Sequence, residues 1–255
     1  MFSATLSEFS FRPHAHEEFF IALTEAGRVA PAYRGSSHLI GPGDLLILNP
    51  EESHAGGPAA DGSWTYRRLY PSRSLMREIA AEFPAGGPAV PEFGRDIVRD
   101  QAVTASLQRY HMLSESPRSS ALERETELAR ALVLLTGRHA AGPREPRPPG
   151  REPRAVRLCK EYLEAHAARN VTLRELAAVA GLSPFHLCRV FRESAGMTPH
   201  AYQTHLRVRH ARFLLRAGLP IARTAVEAGF YDQAHLSRHF RRIVGIPPGQ
   251  FTRDA

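Results

Sequence analysis

No apolar run in the sequence approaches the ~18–20 residues of a membrane span, so a membrane-spanning helix is excluded. The first residues, MFSATLSEFSFRPH, lack a basic stretch followed by an apolar one, and no secretion signal is read there. Only two cysteines occur, Cys159 and Cys188, so free thiols in a reducing cytoplasm are expected. Lysine is nearly absent: Lys160 stands alone among many arginines. With the load of alanine and proline, that imbalance reflects a GC-rich genome more than a mechanism.

What is present is unevenly placed. The net charge of +7 gathers in the second half. From Arg151 onward 17 basic residues face 8 acidic ones, a net of +9, while residues 1–150 carry a net of −2. A basic half joined to a near-neutral half points to a nucleic-acid-binding module attached to something else. A chain of 255 residues is long enough for two domains. The stretch AAGPREPRPPGREPR, residues 140–154, has no apolar period and reads as an exposed Pro-rich linker. A shorter break, PAGGPAVP at 84–91, divides the first half.

Before that break, short β-like runs alternate with Gly, Pro, Asp and Asn turns. They fall at 19–24, 29–35, 36–40, 44–49 and 63–70 and suggest a small barrel or sandwich over 1–83. Residues 92–115 and 118–139 look helical. Leu122, Leu128, Leu132 and Leu135 form a stripe that suits either a core or a dimer seam. The second half is helical throughout. Thr172 followed by Glu175 is a capping box.

The second half also repeats itself. AGLSPFHLCRVFRESAGMTPHAY (180–202) matches AGFYDQAHLSRHFRRIVGIPPGQF (228–251). Leu187, Phe191, Gly196 and Pro199 recur as Leu236, Phe240, Gly245 and Pro248. Ser183 and Asp232 are N-caps, Pro184 fits the first helical position, and both glycines suit helix ends. At 100° per residue, Leu236, Phe240, Ile243 and Val244 share a face that must be buried. Ala234, Ser237, Arg238, Arg241 and Arg242 face away. In the first copy Leu187, Phe191 and Ser194 are expected to face in, and Phe185, Cys188, Arg189 and Arg192 out. A short helix, an Ala-Gly turn and a second helix with small, aromatic and Arg residues outward make a helix-turn-helix. Arginine can pair bidentately with guanine, and Phe185 can meet a thymine methyl. Cys188 has no adjacent base to lower its pKa, so a close-fitting contact residue is expected there rather than a redox sensor.

Over about 100 residues this sequence resembles the AraC/XylS family of bacterial transcription regulators. The motifs are LRELAAVAGLSPFHLCRVFRESAGMTPHAY, HLRVRHARFLL and IARTAVEAGFYDQAHLSRHFRRIVGIPPGQF. The resemblance implies two recognition helices joined by a linking helix, here about 200–217. They enter successive major grooves roughly 34 Å apart. By position it assigns DNA contacts to Phe185, His186, Cys188, Arg189 and Arg192, and to Gln233, Ser237, Arg238 and Arg241. Thr224 departs from the family's usual Ile or Val, and its hydroxyl would need a backbone partner.

RPHAHEEFFI and GPGDLLILNPEESH look like the two halves of the cupin pattern that often precedes this DNA-binding domain. His14, His16 and His54 could converge with Glu18 nearby, a ligand set suited to a divalent metal. However, the cupin carboxylate comes three or four residues after the second histidine, where this chain has Phe19 and Phe20. No metal or cofactor is therefore assigned. Trp64 and Tyr66 alternate on one strand, so with the histidines they form a candidate effector pocket.

The expected fold class is a multi-domain α and β chain. A cupin-like barrel is followed by a helical dimerisation segment (92–139), the linker, and an all-α double helix-turn-helix at 155–255. The expected function is a cytoplasmic, effector-controlled transcription regulator and not an enzyme. Its partners would be double-stranded DNA, a small-molecule effector, RNA polymerase and a second copy of the chain, with no membrane. The alternative is a metal-dependent cupin enzyme fused to a DNA-binding anchor; a constitutive architectural protein is a third reading.

Overall fold

In the computed structural model the short runs of the first half become strands of two antiparallel sheets. The structure describes residues 2–7, 11–33, 36–56, 63–83, 89–142 and 152–253. Residues 143–151 of the expected linker and 84–88 of the expected break lie outside the described residues. The chain divides into two units, Met1–Met112 with Arg130–Pro148, and Leu113–Ala129 with Pro149–Ala255.

In the first unit, five strands pair in the order β1 (Phe2–Ser7), β8 (Ser63–Leu69), β3 (Phe20–Gly27), β6 (Leu45–Leu48), β9 (Ile97–Val98). Four more pair in the order β2 (Phe11–His14), β7 (His54–Gly56), β4 (Ala32–Tyr33), β5 (Ser36–Ser37). The Gly-Pro-Gly-Asp turn is closed by the Gly41 N–H donating to Asp44 Oδ2 at 3.1 Å and the Gly43 N–H to the Thr24 carbonyl at 2.9 Å. It feeds β6 back along β3 in the register Phe20–Leu48 to Leu23–Leu45.

Strand alternation then sorts the side chains. Phe20, Ala22, Leu46, Leu48, Trp64 and Tyr66 belong to one buried cluster with Tyr33 of the other sheet. The opposite parity, Ile21, Leu23, Leu45 and Ile47, is buried as well. Both faces of this sheet are covered, which is why β3 and β6 read as continuous apolar runs.

Two features of this unit differ from the sequence expectation. A helix, α1 (Arg73–Ala80), follows β8, capped by Ser72, whose hydroxyl accepts the Leu75 N–H at 3.2 Å. It is too short for an apolar period to stand out. The stretch expected to be helical from residue 92 first contributes β9 and turns helical only at α2 (Gln101–Glu115). Asp100 sets that start by accepting the Ala102 and Val103 N–H groups. α3 (Ala121–His139) buries Leu122, Leu132 and Leu135 completely and leaves Leu128 half-buried, so three of the four stripe leucines are core.

The second unit holds α4 (Pro153–Ala165), α5 (Leu173–Ala180), α6 (Pro184–Ala195), α7 (Pro199–Arg216), α8 (Ile221–Glu227), α9 (Gln233–Val244) and α10 (Pro248–Phe251). The Thr172–Glu175 capping box is formed. Ser183 accepts the His186 N–H at 3.0 Å, and Asp232 the His235 N–H at 2.6 Å. Gly196 and Gly245 end α6 and α9 in the left-handed conformation. Buried Thr224 finds a backbone partner, donating to the Leu219 carbonyl at 3.4 Å.

α7 clamps the turn after α4. Arg207, 5% exposed, donates from Nε to the Ala167 carbonyl at 2.7 Å and from Nη2 to the Arg169 carbonyl at 2.9 Å. Gln203 donates to the same two oxygens. Burial lowers the Arg207 pKa to about 10, so it remains charged at neutral pH.

Candidate functional site

Each half of the duplication folds as a short helix, a glycine turn and a longer helix: α5 with α6, α8 with α9. On α9, Leu236 and Phe240 are fully buried, while Gln233, Ala234, Arg238, Arg241 and Arg242 are exposed and Ser237 is half-buried. Ile243 and Val244, expected on the buried face, are half-buried against the same core; the division is otherwise the expected one. On α6, Leu187 and Phe191 are buried, Arg192 is exposed and Arg189 is half-buried.

Three positions on α6 correct the sequence reading. Phe185, expected outward, is 5% exposed. α6 packs against α4 and α5, neighbours that an angular plot of a single helix omits. Ser194, expected inward, is exposed, and Val190 is buried instead. Cys188 lies beside Thr126 and Glu125 rather than in open solvent. Burial pushes its thiol up to about 12, with Glu125 adding to the rise and Thr126 opposing it. Such a thiol is inert at neutral pH.

His186 is also engaged: its Nε2 lies 2.7 Å from a Glu152 carboxylate oxygen at the start of α4. Further contacts within this unit come from Leu113–Ala129. Arg118 Nε donates to Asp232 Oδ2 at 2.9 Å, and the Leu173 N–H donates to Glu125 Oε2 at 2.7 Å. The His235 N–H, and then Arg118, hold the Asp232 carboxyl below the usual range. His235 and His239 alternate with the expected DNA-contact positions of α9, and both are lowered by burial first. His239 falls to about 4, with His235, Arg238, Arg242 and Arg207 adding positive charge nearby.

The first unit contains a pocket, partly open to solvent, lined by residues of both its sheets. It brings together all five residues expected there: His14, His16, His54, Trp64 and Tyr66. The Trp64 and Tyr66 rings stack at 3.7 Å, and Trp64 Nε1 donates to Thr24 Oγ1 at 3.1 Å. Arg68, of the same strand parity, lines the pocket too and donates to the Tyr70 hydroxyl at 3.3 Å. The three histidine rings lie 4.3–4.9 Å apart. Burial, then proximity to the other two, lowers His16; burial lowers His54 against the pull of the Glu52 carbonyl. These two imidazoles are therefore neutral at pH 7.

Comparisons with known proteins match both halves of the chain. The model of an AraC-like ligand binding domain matches residues 1–132, and that of a helix-turn-helix domain matches 176–254. The chain belongs to the AraC family of transcription regulators. The uncharacterized HTH-type transcriptional regulator YbfI of Bacillus subtilis (strain 168) is 32% identical over 230 residues, 89% of this chain and 81% of that protein. The arabinose operon regulatory protein of Salmonella typhimurium is 24% identical over 96% of this chain and 87% of its own length. A probable AraC family regulator from Rhodopseudomonas palustris CGA009 is 31% identical over 40% of this chain and 97% of that structure, with a TM-score of 0.39.

This AraC-type regulator thus joins an N-terminal ligand-binding domain to a C-terminal DNA-binding one. No helix among the described residues is long and apolar enough to cross a membrane. Sequence reasoning missed Arg207, Glu152, Glu125 and Arg118, whose partners lie 34 or more residues away. Of the two arginines that follow the aromatic pair, Arg68 lines the pocket and Arg67 does not, as strand parity with Trp64 and Tyr66 requires.

Proposed function

We propose that α6 and α9 read DNA bases directly and that the pocket of the first unit binds the effector. The contact positions are His186, Cys188, Arg189 and Arg192 on the first module, and Gln233, Ser237, Arg238 and Arg241 on the second; buried Phe185 is not among them. The observation that carries this reading is the equivalence of two arginine pairs, Arg189 with Arg238 and Arg192 with Arg241, at matching places on two capped helices 49 residues apart. Arginine there can reach guanine edges or phosphates. Because Cys188 is replaced by Ser237, each monomer reads two unequal half-sites. Selection from a random DNA pool should return a non-palindromic site with halves about one turn apart. Uniform retention of all sequences would refute direct readout.

The effector-binding residues are His14, His16, His54, Trp64 and Tyr66. The stacked aromatic pair supplies an apolar wall, and the histidines and Arg68 supply polar groups, the balance that small-molecule sites show. A thermal-shift screen with sugars, aromatic acids and metabolites tests this. A ligand at 100 times its Kd should add about 2.7 kcal/mol to the first unit. We propose further that the protein acts in the cytoplasm as a sensor rather than an enzyme. It would work as a homodimer through faces of α2 and α3 other than the buried leucines, and contact RNA polymerase at its promoters. Sedimentation of the free chain tests the dimer.

A further inference from the structure

We propose that His14, His16 and His54 hold one divalent transition-metal ion in the pocket between the two sheets, and that its open coordination positions take an oxygen-donor anion as the effector. The second clause rests on the reading of that pocket as the effector site. His14 and His54 face each other across the β2–β7 pair. His16 follows two residues after His14, where its carbonyl accepts the Glu51 N–H at 2.7 Å. Backbone pairing therefore sets all three positions.

The candidate ligand atoms lie within 4.8 Å of one another. Three nitrogens around a tetrahedral ion, each ~2.0–2.1 Å from it, are roughly 3.4 Å apart, so small ring rotations close the set. His14 Nδ1 lies 2.8 Å from the Arg12 carbonyl, and His54 Nδ1 lies 3.1 Å from the Glu52 carbonyl. A carbonyl only accepts, so Nδ1 carries the hydrogen in both rings and Nε2 keeps its lone pair. This is how outer partners orient histidine ligands. The carboxylate missing from the sequence spacing is not needed by a three-imidazole set, which suits zinc, cobalt, nickel, copper or ferrous iron. Three protein ligands leave a position open, unlike a closed structural site. That position faces a pocket lined by Arg68, Tyr66 and Tyr70, with Phe20 and Trp64 as walls. A cation beside Arg68 favours an anion, and the aromatic walls favour one with an apolar body.

The test uses untagged full-length protein stripped with chelator. Co²⁺ absorption reports nitrogen coordination, and Zn²⁺ binding is measured by calorimetry. One ion per chain is expected. Affinity should fall about 100-fold or more in His14→Gln and His54→Gln, at least the loss that removing an outer partner causes. It should hold in His210→Gln, a change at an exposed position of α7. Absent binding, or undiminished affinity in both pocket variants, would overturn the site. If a variant melts early without metal, the wild-type Co²⁺ spectrum decides, and missing nitrogen-ligand bands overturn the proposal. Small carboxylic acids should then shift the Co²⁺ spectrum. Carboxylate binding that is equally tight without metal would overturn the coordination clause and leave the pocket as an effector site.

Different residues carry a second inference. We infer that Leu113–Ala129 masks the first reading helix and must leave before α6 enters a major groove. This segment belongs to the same unit as the reading helices. It places Thr126 and Glu125 beside Cys188, binds the Leu173 N–H through Glu125, and binds the N-cap of α9 through Arg118. Glu123 lies 3.5 Å from His200 at the start of α7. A duplex cannot meet Cys188 while Thr126 does. The full chain with Arg118→Ala separates masking from simple electrostatics. Losing a positive charge weakens DNA binding if nothing else changes, whereas release of the mask tightens it several-fold and raises the reactivity of Cys188 toward a thiol reagent. Weaker or unchanged binding with unchanged Cys188 reactivity would overturn the inference.

Discussion

Replacing Gly229 by alanine should be far more damaging than the matching change at Gly181, though both glycines end a short helix in the left-handed conformation. Gly181 has φ +67° and Gly229 φ +83°. A Cβ on Gly181 would meet nothing within 4 Å, whereas on Gly229 it would lie 2.3 Å from the Ala168 carbonyl oxygen and 2.6 Å from Ala168 Cα. Left-handed backbone costs alanine roughly 1–2 kcal/mol, offset by about 0.5–1 kcal/mol from a stiffer unfolded chain. Gly181→Ala should therefore cost about 1 kcal/mol. At Gly229 the Ala168 backbone must also move, and overpacking adds about 1–3 kcal/mol, for a total of about 2–4 kcal/mol. Ala168 lies between the carbonyls that Arg207 grips, so it has little room to yield. Urea unfolding followed by far-UV circular dichroism measures the helical unit. Fluorescence of Trp64, the single tryptophan, follows the other unit and should keep its midpoint. If the two variants fall within about 0.5 kcal/mol of each other, the close approach is not what holds the second module.

The same turn makes Arg207→Met costly. Two carbonyls would lose charged donors, each such bond being worth about 1.5–3 kcal/mol, and a loss of about 3 kcal/mol or more in urea unfolding is expected. His239 predicts an acid-side loss of stability. Its folded pKa, about 4, lies below the unfolded 6.5, so the unfolded chain binds the extra proton between those values. Stability is full above about pH 6.5 and falls as pH drops toward 4; His239→Gln should flatten that part of the melting-temperature profile. Asp100 acts lower still. Its carboxyl falls to about 2 despite burial, which opposes the shift, through hydrogen bonds from His139 and then Arg138. Asp100→Asn should remove a stability contribution that is present above pH 3.8 and fades toward pH 2 in acid titrations.

Much of the DNA-binding half was legible because its signals are local. Ser183, Asp232, Gly196 and Gly245 each act within four residues, and the duplication marked Leu187, Phe191, Leu236 and Phe240 as scaffold. Phe185 and Cys188 were misjudged because an angular plot treats a helix alone. It cannot see Thr126, 62 positions earlier, beside Cys188. Arg207 looked like one more basic residue on a polar helix; only the folded turn at Ala167–Arg169 shows why its charge is buried. In the sensor half, spacing places His14 and His16 near each other, and the cupin resemblance alone brought His54 to them, because that meeting depends on the β2–β7 register. No residue in those short strands announces that register. α1 was missed because eight residues between a strand and a glycine-rich break leave no period to read.

The central claim is that α6 and α9 read bases through arginine, and base preference tests it most directly. On the site recovered by selection, Arg238→Ala and Arg189→Ala should each cost about 1–3 kcal/mol and relax one base position, a different one for each variant. Arg241→Ala should weaken all sequences alike and lessen the salt slope by about 0.9. Footprinting with graded competitor DNAs reads both effects. If Arg238→Ala and Arg189→Ala leave the base preference unchanged, the helices bind DNA without reading it, and the account is wrong.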